Sequence, residues 1–153
     1  MSITLQEVLA ASTQKAADEL TKAFLNLPED KRDWSPDAKA RTAMDQMAEC
    51  AVLNGYTADL IKTKVWPSTG YPAFAAEKER LSTSWDILHA MLEENTEKLI
   101  ETIKSVPDAD LEIVIEIPWG SRTMPDTLSY SQWNMTYHLG QINYIASMLG
   151  VLK

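Results

Sequence analysis

Leu81, Trp85, Leu88, Leu92, Asn95, Leu99, Thr102 and Val106 recur at alternating four- and three-residue steps. A helix turns once in about 3.6 residues, so these positions form one continuous seam along it. A seam of that length cannot be left to water, and other helices must cover it, which constrains the chain to a helical bundle. Two polar residues, Asn95 and Thr102, interrupt the seam. The spacing predicts a helix from about Ala75 to Val106, ended by Pro107, as the third helix of the chain.

Three further segments have helical periodicity. Thr4 and Glu7 stand at capping-box spacing, and Leu5, Val8, Leu9, Ala16, Leu20, Ala23 and Phe24 follow at three- and four-residue steps, predicting a first helix from Thr4 to Asn26. Ser35-Pro36 reads as an N-cap followed by a proline suited to the first turn, so a second helix is expected from there to Lys64. Gly55 lies inside it, at a cost of about 1 kcal/mol relative to Ala, and marks a place of close packing. The fourth helix is expected after Pro125, capped by Asp126 or Thr127 and running to Met148, with Gly150 as the stop.

Between the third and fourth helices the period changes from about 3.6 to 2. In Leu111–Ile117 the odd positions are apolar, and Glu112 and Glu116 take two of the three even ones. Pro118-Trp119-Gly120-Ser121 supplies a turn, and Arg122-Thr123-Met124 a short return strand. The predicted fold is all-α: an up-and-down four-helix bundle, one domain over residues 1–153, with a β-hairpin before the last helix.

The 153 residues are 45% hydrophobic, enough for a real core. Fourteen basic residues against 22 acidic ones leave a net charge of −8, and no basic stripe is present to grip a phosphate backbone, so no nucleic-acid partner is expected. Nor does any apolar run approach the roughly 18 residues of a membrane span. Cys50 is the sole cysteine, so neither a disulfide nor a Cys/His zinc cluster can form within the chain, and a cytoplasmic location is expected. Gly-rich phosphate loops, GxSxG elbows and the paired ExxH of di-iron bundles are all missing.

Chemistry concentrates on two helices. Asn134 and His138 are four residues apart, one turn along a common face, which is a metal-ligand spacing and equally that of a core histidine with a hydrogen-bonded neighbour. Glu49 shares a face with Val52, Leu53, Tyr56 and Leu60; buried there it needs a cation, a metal or a proton, unless it lies at the wet edge. Asp45, one turn earlier, adds to a metal site or faces water. Cys50 reads as a small buried hydrophobe, His89 as structural, and Glu93, Glu94 and Glu97 as a solvated face.

Trp34-Ser35-Pro36, the run ARTAMDQMAE, the hairpin and Tyr137-His138-Leu139-Gly140-Gln141-Ile142 together resemble the DinB/YfiT-like family of four-helix metalloenzymes. The likeness covers nearly the whole chain, and its most specific part is His-x-Gly-Gln-Ile. It implies a divalent metal, nickel, zinc, manganese or iron, held by one second-helix residue and two on the last helix. Carried over by position, these are Glu49, Asn134 and His138; only one of the three family histidines is kept. The resemblance further implies a homodimer acting on a small-molecule substrate, as a thiol-dependent transferase or a hydrolase. The alternative is a non-catalytic bundle that binds a small ligand or a second copy of itself.

Overall fold

Thr4 and Glu7 cap each other as expected. The Glu7 amide donates to Thr4 Oγ1 at 3.2 Å and the Thr4 amide to Glu7 Oε2 at 2.9 Å, opening helix α1 (Leu5–Leu25). The computed structural model describes residues 2–153. After α1 come α2 (Ala43–Thr63), α3 (Gly70–Leu81), α4 (Trp85–Lys104), strands β1 (Val114–Ile117) and β2 (Gly120–Thr123), and α5 (Met124–Met148). Among the described residues no helix is long and apolar enough to cross a membrane.

The four long helices form the bundle. α1 and α2 each pack against both α4 and α5, so α1 lies diagonal to α2 and α4 diagonal to α5, while the consecutive pair α2 and α4 is in direct contact. One layer of the core gathers Leu20, Phe24, Met47, Leu88 and Leu92; a second, toward the hairpin, gathers Ile61, Leu99, Ile103, Ile115 and Leu128. Each such side chain contributes about 1.5–3 kcal/mol by leaving water. Leu88, Leu92, Leu99 and Thr102 of the seam are all buried.

Several boundaries differ from the sequence expectation. The second helix begins at Ala43, not at Ser35-Pro36. Ser35 Oγ reaches Ala40 O at 2.9 Å and the Lys39 amide donates to Asp37 Oδ1 at 2.9 Å, so short side chains hold residues 35–40 in turns that compete with a helix. Thr42 is the cap, accepting from the Asp45 amide at 3.1 Å. The expected third helix is two helices, α3 and α4. In Ser82-Thr83-Ser84, Ser82 Oγ donates to Lys78 O at 2.9 Å and Thr83 Oγ1 to Arg80 O at 2.7 Å, after which Ser84 turns extended. The strand expected from Leu111 starts only at Val114, because Asp108–Glu112 coils into a 3-10 turn after Pro107.

The hairpin otherwise follows the two-residue period. Ile115 is buried and its neighbours Val114 and Glu116 are exposed. β1 and β2 pair antiparallel with Ile117 opposite Gly120, and Trp119 at the tip packs edge-on against Trp66 at 5.0 Å. β2 ends one residue before the expected Met124, which already belongs to α5. The cap of α5 is Thr123, accepting from the Asp126 amide at 3.3 Å, in place of Asp126 or Thr127. Gly150, with φ of 71°, takes the left-handed conformation expected of the stop.

Candidate functional site

α2 and α5 lie side by side, and the face between them is polar over most of its length. Near the middle of the bundle Ser131 of α5 donates to Thr57 Oγ1 of α2 at 3.0 Å, while Asn54 of α2 donates across to Thr96 Oγ1 of α4 at 2.9 Å. One turn further along α5, Asn134 directs Nδ2 at Cys50 Sγ, 3.7 Å away. Another turn brings His138, which is 2% exposed, against Glu49. Here His138 Nε2 is 3.0 Å from Glu49 Oε1, so α2 and α5 bring together two residues 89 positions apart.

The other oxygen of Glu49 is also taken. Arg41, in the segment before α2, puts its terminal nitrogen 2.6 Å from Glu49 Oε2 and its Nε 2.5 Å from Asp45 Oδ2. Lys78 of α3 completes the chain of charges at 2.9 Å from Asp45 Oδ1. Gln46 and Gln141 close the far side of the imidazole, their Oε1 atoms 3.1 Å and 2.7 Å from His138 Nδ1. Both ring nitrogens thus face side-chain oxygens.

The electrostatics follow from these contacts. Burial by itself raises the Glu49 carboxyl, but the hydrogen bond from His138 and the charge of Arg41 outweigh it and hold it at about 2. Burial likewise opposes ionisation of Asp45, and Lys78 and Arg41 reverse this to leave its carboxyl below the ordinary value. Arg41 is raised: burial favours the neutral form, and its two carboxylate partners more than compensate. Burial pushes the Cys50 thiol far up, which keeps it protonated and poorly nucleophilic.

Beside this cluster is an open cleft of about 760 Å³ between the residue 36–41 segment and α5. Arg41, Gln46 and Gln141 belong to both the cluster and the cleft wall, and Tyr137, Tyr144 and Met148 line the α5 side. Two grooves elsewhere lie against α1 and α4, and the lining of neither joins a histidine, a carboxylate and an arginine.

No protein-family model and no curated protein matches the chain. Among solved structures, the crystal structure of a DinB-like protein, YjoA from Bacillus subtilis, is similar over 93% of this chain and 92% of that one, with a TM-score of 0.67 and 12% sequence identity. The fold is DinB-like.

A DinB-like bundle raises the question of a metal between α2 and α5. The residues present do not fit one as they stand. Glu49 has both oxygens engaged, His138 has both nitrogens engaged, and Asn134 turns its amide nitrogen toward sulfur. A guanidinium already neutralises the carboxylate that would be the principal ligand, and a second cation there would meet its repulsion. Among the described residues, no group of three or more His, Cys, Asp or Glu is arranged to hold a metal.

Sequence reasoning named Glu49, Asn134 and His138 and considered Asp45, but it missed Arg41, Lys78 and Gln46. One signal was present: Arg41, Asp45 and Glu49 stand at four-residue steps, the spacing of charge pairs along one face.

Proposed function

We propose that this chain is a non-catalytic DinB-like bundle that binds a small organic anion with a planar apolar body in the cleft beside Arg41. One observation carries the proposal. The chain has 22 acidic residues, yet none lines this cleft, whose charged members are Lys39 and Arg41. The exposed rings of Tyr137 and Tyr144 would flank the apolar body, and Lys39 with the Gln141 amide would meet the anionic head. His138 supports a structural reading over an acid–base one, since it is buried and both its nitrogens are engaged.

Calorimetric titration with 1-naphthoate in the presence of EDTA tests this. Saturable one-to-one binding is expected, weakened about tenfold or more by Lys39→Glu and by Tyr144→Ala. No binding, or binding indifferent to both substitutions, would overturn it.

A second observation favours self-association as well. α5 contains no Lys, Arg or Glu, and Tyr130, Trp133 and Tyr137 stack along it at 5.6 Å steps with Trp133 and Tyr137 about half exposed. In a chain of net charge −8, a face whose one acid, Asp126, lies at its N-terminal end is where two copies meet with little repulsion. A concentration-dependent dimer in sedimentation, abolished by Trp133→Glu, is the expected result; a monomer at all concentrations excludes it.

A further inference from the structure

Arg41 is held from several directions at once. Its guanidinium bridges Asp45 and Glu49 of α2, its second terminal nitrogen donates to Asp45 O at 3.3 Å, and its own carbonyl accepts from Gln46 Nε2 at 3.3 Å. Glu49 passes the contact to His138 on α5, and Asp45 passes it to Lys78 on α3. One planar cation therefore links the two carboxylates on which three elements of the fold converge.

We propose that Arg41 is the resident cation of this bundle, bound to the carboxylate that the DinB-like arrangement would offer to a divalent metal, and that it keeps metal out. The proposal stands apart from the cleft's ligand. A guanidinium offers several donors in a rigid fork, so it can satisfy carboxylates from both sides as a metal ion would, without displacing any lone pair onto a coordination shell. Its removal leaves Asp45 and Glu49 one helical turn apart with Lys78 as the remaining fixed cation, and leaves Glu49 beside His138. A carboxylate and an imidazole 3.0 Å apart, opened to the cleft by loss of the side chain that walled them off, are a serviceable pair of ligands with water completing the shell.

The experiment compares wild type, Arg41→Ala and Arg41→Met, all stripped with EDTA, by calorimetry and thermal melts with Ni²⁺ and Zn²⁺. Wild type is expected to show no binding. The variants, shown folded by circular dichroism, are expected to bind one ion at least tenfold more tightly than wild type. At a metal concentration about ten times the dissociation constant, their melting temperatures should rise by about 3–6 °C. Adding Glu49→Ala should abolish the binding, and methylguanidinium should compete with the metal in Arg41→Ala. Three outcomes would each overturn the proposal: stoichiometric metal bound by wild type as tightly as by the variants, folded variants that bind none, or binding that ignores both Glu49 and methylguanidinium.

Discussion

Glu49→Gln removes one negative charge from between Arg41 and His138 while keeping the shape of the side chain. The Glu49 carboxyl lies at about 2 in the folded chain against an ordinary 4.5. At about 1.4 kcal/mol per unit, that difference corresponds to on the order of 3 kcal/mol of stability at neutral pH. The side chain is 22% exposed, so solvent screening trims this figure without removing it. A depressed folded value means the stabilisation is complete above the unfolded value near 4.5 and is lost as pH falls toward 2. At pH 7 the glutamine variant should therefore be less stable by about 3 kcal/mol, which lowers the melting temperature by about 6–12 °C in a chain of this length. Between about pH 5 and about pH 3 the gap between the two proteins should narrow by about 2 kcal/mol, since only wild type carries this proton-linked loss. Urea unfolding followed by tryptophan fluorescence at stepped pH measures both curves, and other carboxylates cancel in the difference. Two curves that stay parallel from neutral to acid pH would refute the reasoning.

Gly55→Ala should destabilise by about 1–2 kcal/mol despite better helix propensity, because the new Cβ would meet the Asn95 side chain at 2.8–2.9 Å. Adding Asn95→Ala should recover part of that loss in chemical denaturation, and a strictly additive double variant would count against the contact. Leu99→Ala, at a side chain with no exposure, should cost about 2–5 kcal/mol in the same assay. Cys50 should react with Ellman's reagent only at the rate of unfolding, since its thiol is buried and kept protonated; prompt labelling of the native chain would contradict this.

Much of the fold was legible because it rests on periodicity. The seam from Leu81 to Val106 and the alternation around Ile115 report which side of an element is buried, and tertiary packing has no reason to oppose them. Boundaries fared worse where hydroxyl and carboxamide side chains compete with the helix for backbone groups. Ser35-Pro36 is a good helix start in isolation, yet Ser35 and Asp37 gain more by bonding to residues two to five positions away. Ser82-Thr83-Ser84 sits inside an unbroken apolar pattern, and a periodicity that counts only apolar positions is blind to a break whose cause is polar.

The site shows the same division. That a carboxylate on an apolar stripe of α2 needs a partner follows from desolvation alone, and Glu49 has two. Which partner it takes depends on chain geometry outside the helix. Arg41 precedes the Thr42 cap, so its reach to both Asp45 and Glu49 is set by the chain before the helix as well as by the four-residue spacing. Had α2 begun at Pro36, Arg41 would lie on the helix surface, with Glu49 eight residues and some 12 Å of helix away along the axis. With α2 beginning after Thr42, the Arg41 guanidinium instead lies between Asp45 and Glu49 while its carbonyl accepts from Gln46 Nε2 at 3.3 Å. The helix start at Ala43 and the reach of Arg41 to Glu49 are therefore linked, and the electrostatics of the site turn on both.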